Sequence, residues 1–273
     1  MHYISTRGQA PNLDFQDALL TGLARDGGLY VPEVWPQLSA DDLRALAEMD
    51  YPAAAARILA PFAEGIGVER LAAMIDEAYA VFDDPGVVPL RPIGEGQWLM
   101  ELFHGPTLAF KDVAMQLLGR LFDHVLEQRN QRVTIVGATS GDTGSAAIEA
   151  CRDHQAIDIF ILYPEGRVSE VQRRQMTTVL SDNVHNIAIQ GTFDDCQALV
   201  KQMFDDLAFR DEIAMSAVNS INWARVVAQV VYYVTSAVAL GAPETPVSFV
   251  VPTGNFGCVF AGYGAARMGL PVH

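Results

Sequence analysis

A chain of 273 residues, half of them hydrophobic, is long enough to bury one large core or two smaller ones. Its formal charge of -15 argues against nucleic acid, whose binding leans on clustered lysine and arginine. The acidic balance also means that an anionic ligand must be held by local devices such as helix N-termini and loop amides. Cys151, Cys196 and Cys258 are widely spaced. With no Cys-x-x-Cys pair, a metal or disulfide framework is not expected, and a reducing, cytoplasmic setting fits. Met1 to Ala10 has no apolar core of the signal-peptide kind.

The first third reads as mainly helical. Asp14 to Arg25 places Phe15, Ala18, Leu19 and Leu23 on one face, and Gly27-Gly28 stops it. Leu29 to Pro32 is a short extended segment. Ser39 with Asp42 makes a capping-box start for a helix through Met49. Pro52 opens an alanine-rich helix to about Phe62, and Val68 to Phe82 is a fourth.

Asp83-Asp84-Pro85-Gly86 is the clearest boundary. Beyond it strands alternate with helices. Trp98 to Phe103, Val133 to Val136, Ile157 to Leu162, Val184 to Ile189 and Val247 to Val251 read as strands. Helices are predicted after Lys111, then over Gly144 to Arg152, Ser169 to Leu180, Phe193 to Phe209 and Phe256 to Met268. The pattern predicts an α/β protein in which a helical N-terminal domain precedes open, mostly parallel αβα sheet domains. The expected division is residues 1–84, 85–218 and 219–273, the last being the start of a further domain. The long apolar stretch Trp223 to Ala242 contains Arg225, Gln229, Thr235 and Ser236. It reads as a buried helix and not as a membrane span.

Candidate chemistry centres on Lys111. Only two of the 18 basic residues are lysines, Lys111 and Lys201. Lys201 falls in an ordinary amphipathic helix. Lys111 follows Phe110 and opens a helix whose apolar residues include Val113, Met115, Leu117, Leu118, Leu121 and Phe122. The positive end of the helix dipole and apolar neighbours would both disfavour its ammonium. Such an amine can form a Schiff base with a carbonyl; an exposed lysine on a helix shoulder is the plain alternative.

Ser140, Gly141, Asp142, Thr143 and Gly144 join a strand to a helix. Glycines there admit a ligand, and first-turn amides favour an anion; equally, Asp142 or Thr143 can simply cap the helix. Gly254, Asn255, Phe256 and Gly257 lie between the last strand and its helix, and their amides could cradle a phosphate. This is neither a Walker A loop nor a dinucleotide fingerprint. Asn219, Ser220, Asn222 and Arg225 open the buried helix. They read as a cap and a structural ion pair, or as a phosphate clamp, because arginine in an apolar helix needs a partner and binds phosphate bidentately. His104 and Thr107 flank the lysine loop; His104 reads as structural, while Thr107 could line a phosphate pocket.

The stretch His104-Gly-Pro-Thr-Leu-Ala-Phe-Lys-Asp112 resembles the cofactor-lysine motif of the threonine synthases, pyridoxal-phosphate enzymes of the tryptophan-synthase-β-like fold (fold type II). Further stretches resemble the same family in the same order. They are Asp26-Gly-Gly-Leu-Tyr-Val-Pro32, Ala138-Thr-Ser-Gly-Asp-Thr-Gly144, Asn219-Ser-Ile-Asn-Trp-Ala-Arg225 and Pro252-Thr-Gly-Asn-Phe-Gly257. The resemblance implies pyridoxal 5'-phosphate as cofactor, held by Lys111. It implies O-phospho-L-homoserine as substrate, with L-threonine and phosphate as products. Lys111, freed by the substrate amine, would remove the Cα proton. Gly254 to Gly257 would hold the cofactor phosphate, and the Ser140 to Gly144 loop the amino-acid carboxylate. Thr107, Asn219, Asn222 and Arg225 would serve the substrate. Asp142 stands where many relatives carry asparagine beside the cofactor's phenolic oxygen; either a proton is shared there or Asp142 points elsewhere. A serine/threonine dehydratase-like lyase of the same fold, or a non-catalytic phosphate-ligand-binding relative, are the rival readings. The family also implies residues beyond His273 that would complete the larger cofactor domain. Without them, the strand Val247 to Val251 is expected to lack neighbours and the helix from Trp223 to lack a cover, which favours self-association.

Overall fold

The computed structural model describes residues 1–217, 222–252 and 254–273. Strands β1 (Tyr3–Ser5) and β2 (Tyr30–Pro32) pair antiparallel, and three-residue strands of this kind leave little trace in a sequence. Between them runs α1 (Phe15–Thr21), started by Asp14, whose side chain accepts from the Asp17 amide. The helix is shorter than its apolar pattern suggests. Gly22 ends it at φ 64°, and Leu23 turns back to bridge Leu29.

Helix α2 (Ala40–Ala47) opens with the capping box of Ser39 and Asp42 that the sequence predicts. Asp50 caps α3 (Tyr51–Leu59), with Pro52 in the first turn; α4 (Val68–Tyr79) follows without a side-chain cap. Strands β3 (Leu90–Gly94) and β4 (Gln97–Met100) then form an antiparallel hairpin. The strand expected over Trp98 to Phe103 therefore ends early, and a loop leads from it into α5 (Asp112–Arg129).

The α/β part runs through β5 (Val133–Ala138), α6 (Asp142–Cys151), β6 (Ile157–Pro164), α7 (Glu170–Thr177), β7 (Val184–Ile189), α8 (Phe193–Asp205), α9 (Leu207–Glu212) and β8 (Met215–Ser216). The single helix expected over Phe193 to Phe209 is two. Asp206 is extended (φ -80°, ψ 91°), and its side chain caps the second helix at the Phe209 amide. The four strands lie in the order β7-β6-β5-β8, and all three pairings are parallel. That is the sheet the alternating pattern predicts. β5 is central and almost wholly buried, so the loop at its C-terminal end is rigidly placed.

Two further helices complete the chain, α10 (Trp223–Ala239) and α11 (Gly257–Arg267). α10 was expected to lack a cover. Instead it packs against α2, α3, α5 and α11, and its residues from Trp223 to Val234 are all buried. Trp223 sits within ring-contact distance of Tyr3, Trp35, Phe62 and Phe260, at centroid separations of 5.6–6.4 Å. The helical first third supplies this cover, a pairing that helix periodicity cannot reveal. The strand expected over Val247 to Val251 does not form. Among the described residues its ladder contact is the parallel bridge of Val247 with Val272, and Val250 is 99% exposed.

Helices α5 and α6 approach so closely at Gly119 that an added Cβ would fall 2.1 Å from the Ala150 carbonyl oxygen. Alanine normally stabilises a helix interior by about 1 kcal/mol over glycine. Here the clash is with backbone, so overpacking dominates at about 1–3 kcal/mol. Gly119→Ala is expected to lower the urea midpoint without changing the slope; a raised midpoint would show that the two helices separate readily.

Candidate active site

The loop that presents Lys111 is tied down by Asp112. Its carboxylate is fully buried and accepts from the amide and the hydroxyl of Thr107 at 2.8 and 2.7 Å. Burial pushes the Asp112 carboxyl up from its ordinary range, with the Thr107 bonds opposing. Leu108 adopts φ 60°, and its amide reaches back to the Gly105 carbonyl at 3.0 Å. Gly105 is obligatory, because a Cβ there would lie 2.4 Å from that of Asp112. Thr107 thus spends its hydroxyl inside the loop, and its carbonyl accepts from Gln175 at 3.0 Å. A phosphate-lining role for the Thr107 hydroxyl is not what this geometry offers. Asp112 itself is the residue that sequence reasoning passed over. Its signal was present in the Thr-x-x-x-x-Asp spacing, which places the carboxylate in the first helical turn.

Lys111 occupies the N-cap position of α5 and is 9% exposed. Its Nζ lies 4.3 Å from the centre of the Phe110 ring. The expected apolar neighbour is therefore there. The nearer partner is a carboxylate, since Nζ donates to Asp142 Oδ2 at the start of α6. Asp142 thus faces Lys111 in the structure, which answers where its side chain points. Lys201, the other lysine, is exposed on α8 as expected.

The turn before α6 is capped by neither Asp142 nor Thr143. Thr139 does it, its hydroxyl accepting from the Gly141 and Gly144 amides at 2.9 and 2.8 Å. Gly141 has φ 144°, and a Cβ there would fall 2.2 Å from Gln172 Oε1. Gly144 is a packing glycine, because its Cβ would strike Thr139, Met176 and Ile161. What the turn presents outward is the exposed Ser140 and the half-buried Asp142 and Thr143. The amides of Asp142 and Thr143 are first-turn donors with no acceptor of their own within the helix.

Asn222 corrects a second expectation. It is fully buried; its amide donates to the carbonyls of Leu19 and Ala217 at 2.9 and 3.2 Å, and its Oδ1 accepts from Ala224 at 3.0 Å. Each polar atom is spent on capping α10 and tying it to α1, so Asn222 is a structural cap and not a substrate contact. Asn219 lies outside the described residues. Arg225, one turn into α10, is 2% exposed. Burial pushes its guanidinium down to about 10, while the charges of Cys258 and Asp142 act in the other direction. Cys258 opens α11 just after Gly257, and nothing in the sequence singled it out. The starts of α6, α10 and α11 therefore share one electrostatic neighbourhood, and Lys111 joins it through Asp142.

The Gly254 to Gly257 turn enters α11 with Phe256 at φ 61° in the N-cap position. Gly254 and Asn255 are exposed, and a Cβ on Gly254 would meet nothing within 4 Å. A separate cavity of about 530 Å³, lined by Pro106, Thr107, Glu149 and Gln175, borders the outer side of the lysine loop and does not include Lys111. Among the described residues no cluster of histidine, cysteine, aspartate and glutamate could hold a metal ion.

A parallel α/β sheet with helix N-termini beyond its carboxyl edge and a buried lysine amine there suits an enzyme that carries an aldehyde cofactor bearing a phosphate. Residues 86–272 match the pyridoxal-phosphate dependent enzyme family, and residues 2–79 match the threonine synthase N terminus family. The chain belongs to the pyridoxal-phosphate dependent enzyme family. Among its relatives, the threonine synthase of Pseudomonas aeruginosa is 58% identical over 273 residues, which is 100% of this chain and 58% of that protein. The crystal structure of PLP-bound threonine synthase from Brucella melitensis superposes with a TM-score of 0.94 at 59% identity, over 100% of this chain and 59% of that one. The yeast threonine synthase structure gives 0.90 at 42% identity, over 99% and 56%. The fold is accordingly that of fold type II pyridoxal-phosphate enzymes, and the chain spans 58% of the length of the Pseudomonas relative. The residues present fit the cofactor. Lys111 would offer the amine for its aldehyde, and the backbone at Gly254, where a Cβ would meet nothing within 4 Å, would not obstruct its phosphate.

If Asn222 is a cap, replacing it should cost fold stability and not ligand affinity. Asn222→Ala removes three hydrogen bonds from buried groups, a loss of about 2–4 kcal/mol. A clear drop in the denaturation midpoint is expected, with cofactor affinity retained in the folded fraction. Unchanged stability with weakened ligand binding would return Asn222 to the site.

Proposed function

We propose that this chain carries the lysine-bearing part of a threonine synthase that converts O-phospho-L-homoserine and water to L-threonine and phosphate. The observation that carries the reading is Lys111, held at the start of α5 with its amine on the Asp142 carboxylate. The two families matched along the chain support the same activity. When bound, pyridoxal 5'-phosphate supplies an electron sink for a carbanion next to the amino group.

The protein's share is binding, orientation and proton transfer. Lys111 Nζ anchors the cofactor and then serves as the base for the substrate Cα proton, because it is the buried amine at the centre of the cluster. Asp142 Oδ2 orients that amine and provides an acceptor within its reach. The outward amides of Asp142 and Thr143, with the Ser140 hydroxyl, suit the substrate carboxylate. The Gly254, Asn255, Phe256 and Gly257 turn at the start of α11 suits the cofactor phosphate. Arg225 suits the substrate phosphate, as a guanidinium close to both α6 and α11.

A cytoplasmic setting is supported by the free thiols of Cys151, Cys196 and Cys258. Among the described residues no helix is long and apolar enough to cross a membrane. Self-association is supported by the exposed Val250, Phe256 and Tyr263.

The test uses the full-length protein. Lys111→Ala should abolish borohydride-fixed cofactor and phosphate release from phosphohomoserine, while Lys201→Ala leaves both intact. Cofactor that stays fixed in the Lys111 variant would sink the assignment. Arg225→Leu is expected to raise KM for phosphohomoserine at least about tenfold, the scale of a lost charged contact, with cofactor loading retained. Unchanged kinetics would make Arg225 purely structural.

A further inference from the structure

The sheet has a second end. At the N-terminal edge of β5 and β8, opposite the candidate active site, lies a cavity of about 410 Å³ that reaches Val133 and Met215. β5 is six residues long, so roughly 17 Å of strand separate this cavity from the Thr139 turn. Arg25, Arg129, Arg132 and Arg210 all line it, with Asp17 and Asp211. Four of the 18 basic residues of an acidic chain meet in one place.

Three of these arginines are matched by carboxylates. Arg25 pairs with Asp211 at 2.6 Å, Arg129 with Asp17 at 2.6 Å and Arg132 with Asp158 at 2.8 Å. The fourth, Arg210, is held differently, over the Phe204 ring at 5.3 Å. That side chain belongs to a residue only 6% exposed. Its Nη2 donates to the carbonyls of Thr21 and Leu23 at 3.2 and 2.6 Å, and among the described residues no carboxylate lies within ion-pair reach of it. Burial and the neighbouring Arg25 push its guanidinium down from the ordinary range, while Asp211 and Tyr30 act in the other direction. A buried cation with no carboxylate in direct contact is costly, and a cavity beside it can admit an anion closer than Asp211.

We propose that this cavity is a binding site for a small phosphate-bearing anion, inorganic phosphate or a phosphate monoester, separate from the active site. Guanidinium donors arrive there from the loop after α1, from the end of α5, from the start of β5 and from α9. A tetrahedral oxyanion can accept from several directions, whereas a carboxylate matches a single fork. The space is also of small-ligand size. An anion bound there would give Arg210 the direct ion pair that it lacks among the described residues.

The experiment is equilibrium dialysis of radiolabelled inorganic phosphate against the full-length protein saturated with pyridoxal phosphate. Arg210→Met and Arg25→Gln are each expected to weaken phosphate binding at least about tenfold, the scale of one lost charged contact. Arg57→Gln, a surface arginine paired with Asp42 elsewhere, should leave it unchanged. Arg25 is half exposed, so its variant decides the matter if Arg210→Met does not fold. Displacement of the label by glycerol 2-phosphate would identify a monoester site; retention of the label would identify a site for free phosphate. Absence of binding, equal binding in both variants, or displacement by acetate at matched concentration would each overturn the proposal. None of these readings depends on the reaction assigned to Lys111.

Discussion

One buried carboxylate governs the geometry of the active end. Asp112 is enclosed at the first turn of α5, where removal from water would raise its energy steeply. Two bonds from Thr107 and the positive end of its own helix offset that cost. The bonds can form only if the chain doubles back between Gly105 and Lys111, which places Leu108 in the left-handed region and requires Gly105 to lack a side chain. The fold is thereby committed to a tight loop whose last residue is Lys111. The lysine's location follows from its neighbour's burial. Asp142 then fixes its direction, and Asp142 is itself placed by the central strand β5 and the Thr139 cap.

Much of this was legible in the sequence where the information is local. Start signals are local, so Ser39 with Asp42 announced one helix and Pro52 the next. β-branched runs are local too, and Val133, Ile157 and Val184 each opened a real strand. What depends on a distant partner was not legible. The 247–251 segment has strand chemistry, but a strand exists only through its neighbours, and one bridge to Val272 is what it finds. The cover of α10 comes from Tyr3, Trp35 and Phe62, which no periodicity within α10 could disclose. Asn222 looked equally fit for cap and ligand until its three partners were seen. For Asp142 the sequence left open a shared proton beside the ring or a side chain pointing elsewhere, and only the fold shows its carboxylate on Lys111.

The same distinction explains why the resemblance to a known family reached the chemistry so much faster than the residues alone. A lysine beside an aspartate at a helix start is common, and its local surroundings left an exposed shoulder position equally open. Order along the chain is what the motifs add, since it encodes which helix starts meet. The structure shows that meeting physically. α5 and α6 meet at their starts through Lys111 and Asp142, α5 also packs on α10, and α10 packs on α11.

Helix polarity then divides the labour between the two ends of the sheet. At the carboxyl edge, helix N-termini gather, and their amides can hold anions without lysine or arginine. This suits a chain of charge -15, because the attraction is local and needs no basic surface. At the opposite edge the geometry reverses. Helix α5 ends there, and its carbonyls present negative partial charge that repels anions. Any anion bound at that end must be held by side-chain cations, and that is where Arg129 and Arg132 stand, joined by Arg25 and Arg210. One 18-residue helix therefore carries Lys111 at its positive end and Arg129 at its negative end. The lysine sits against the dipole, and the Asp142 carboxylate at the start of α6 compensates it. The arginine sits with the dipole and is held there by Asp17.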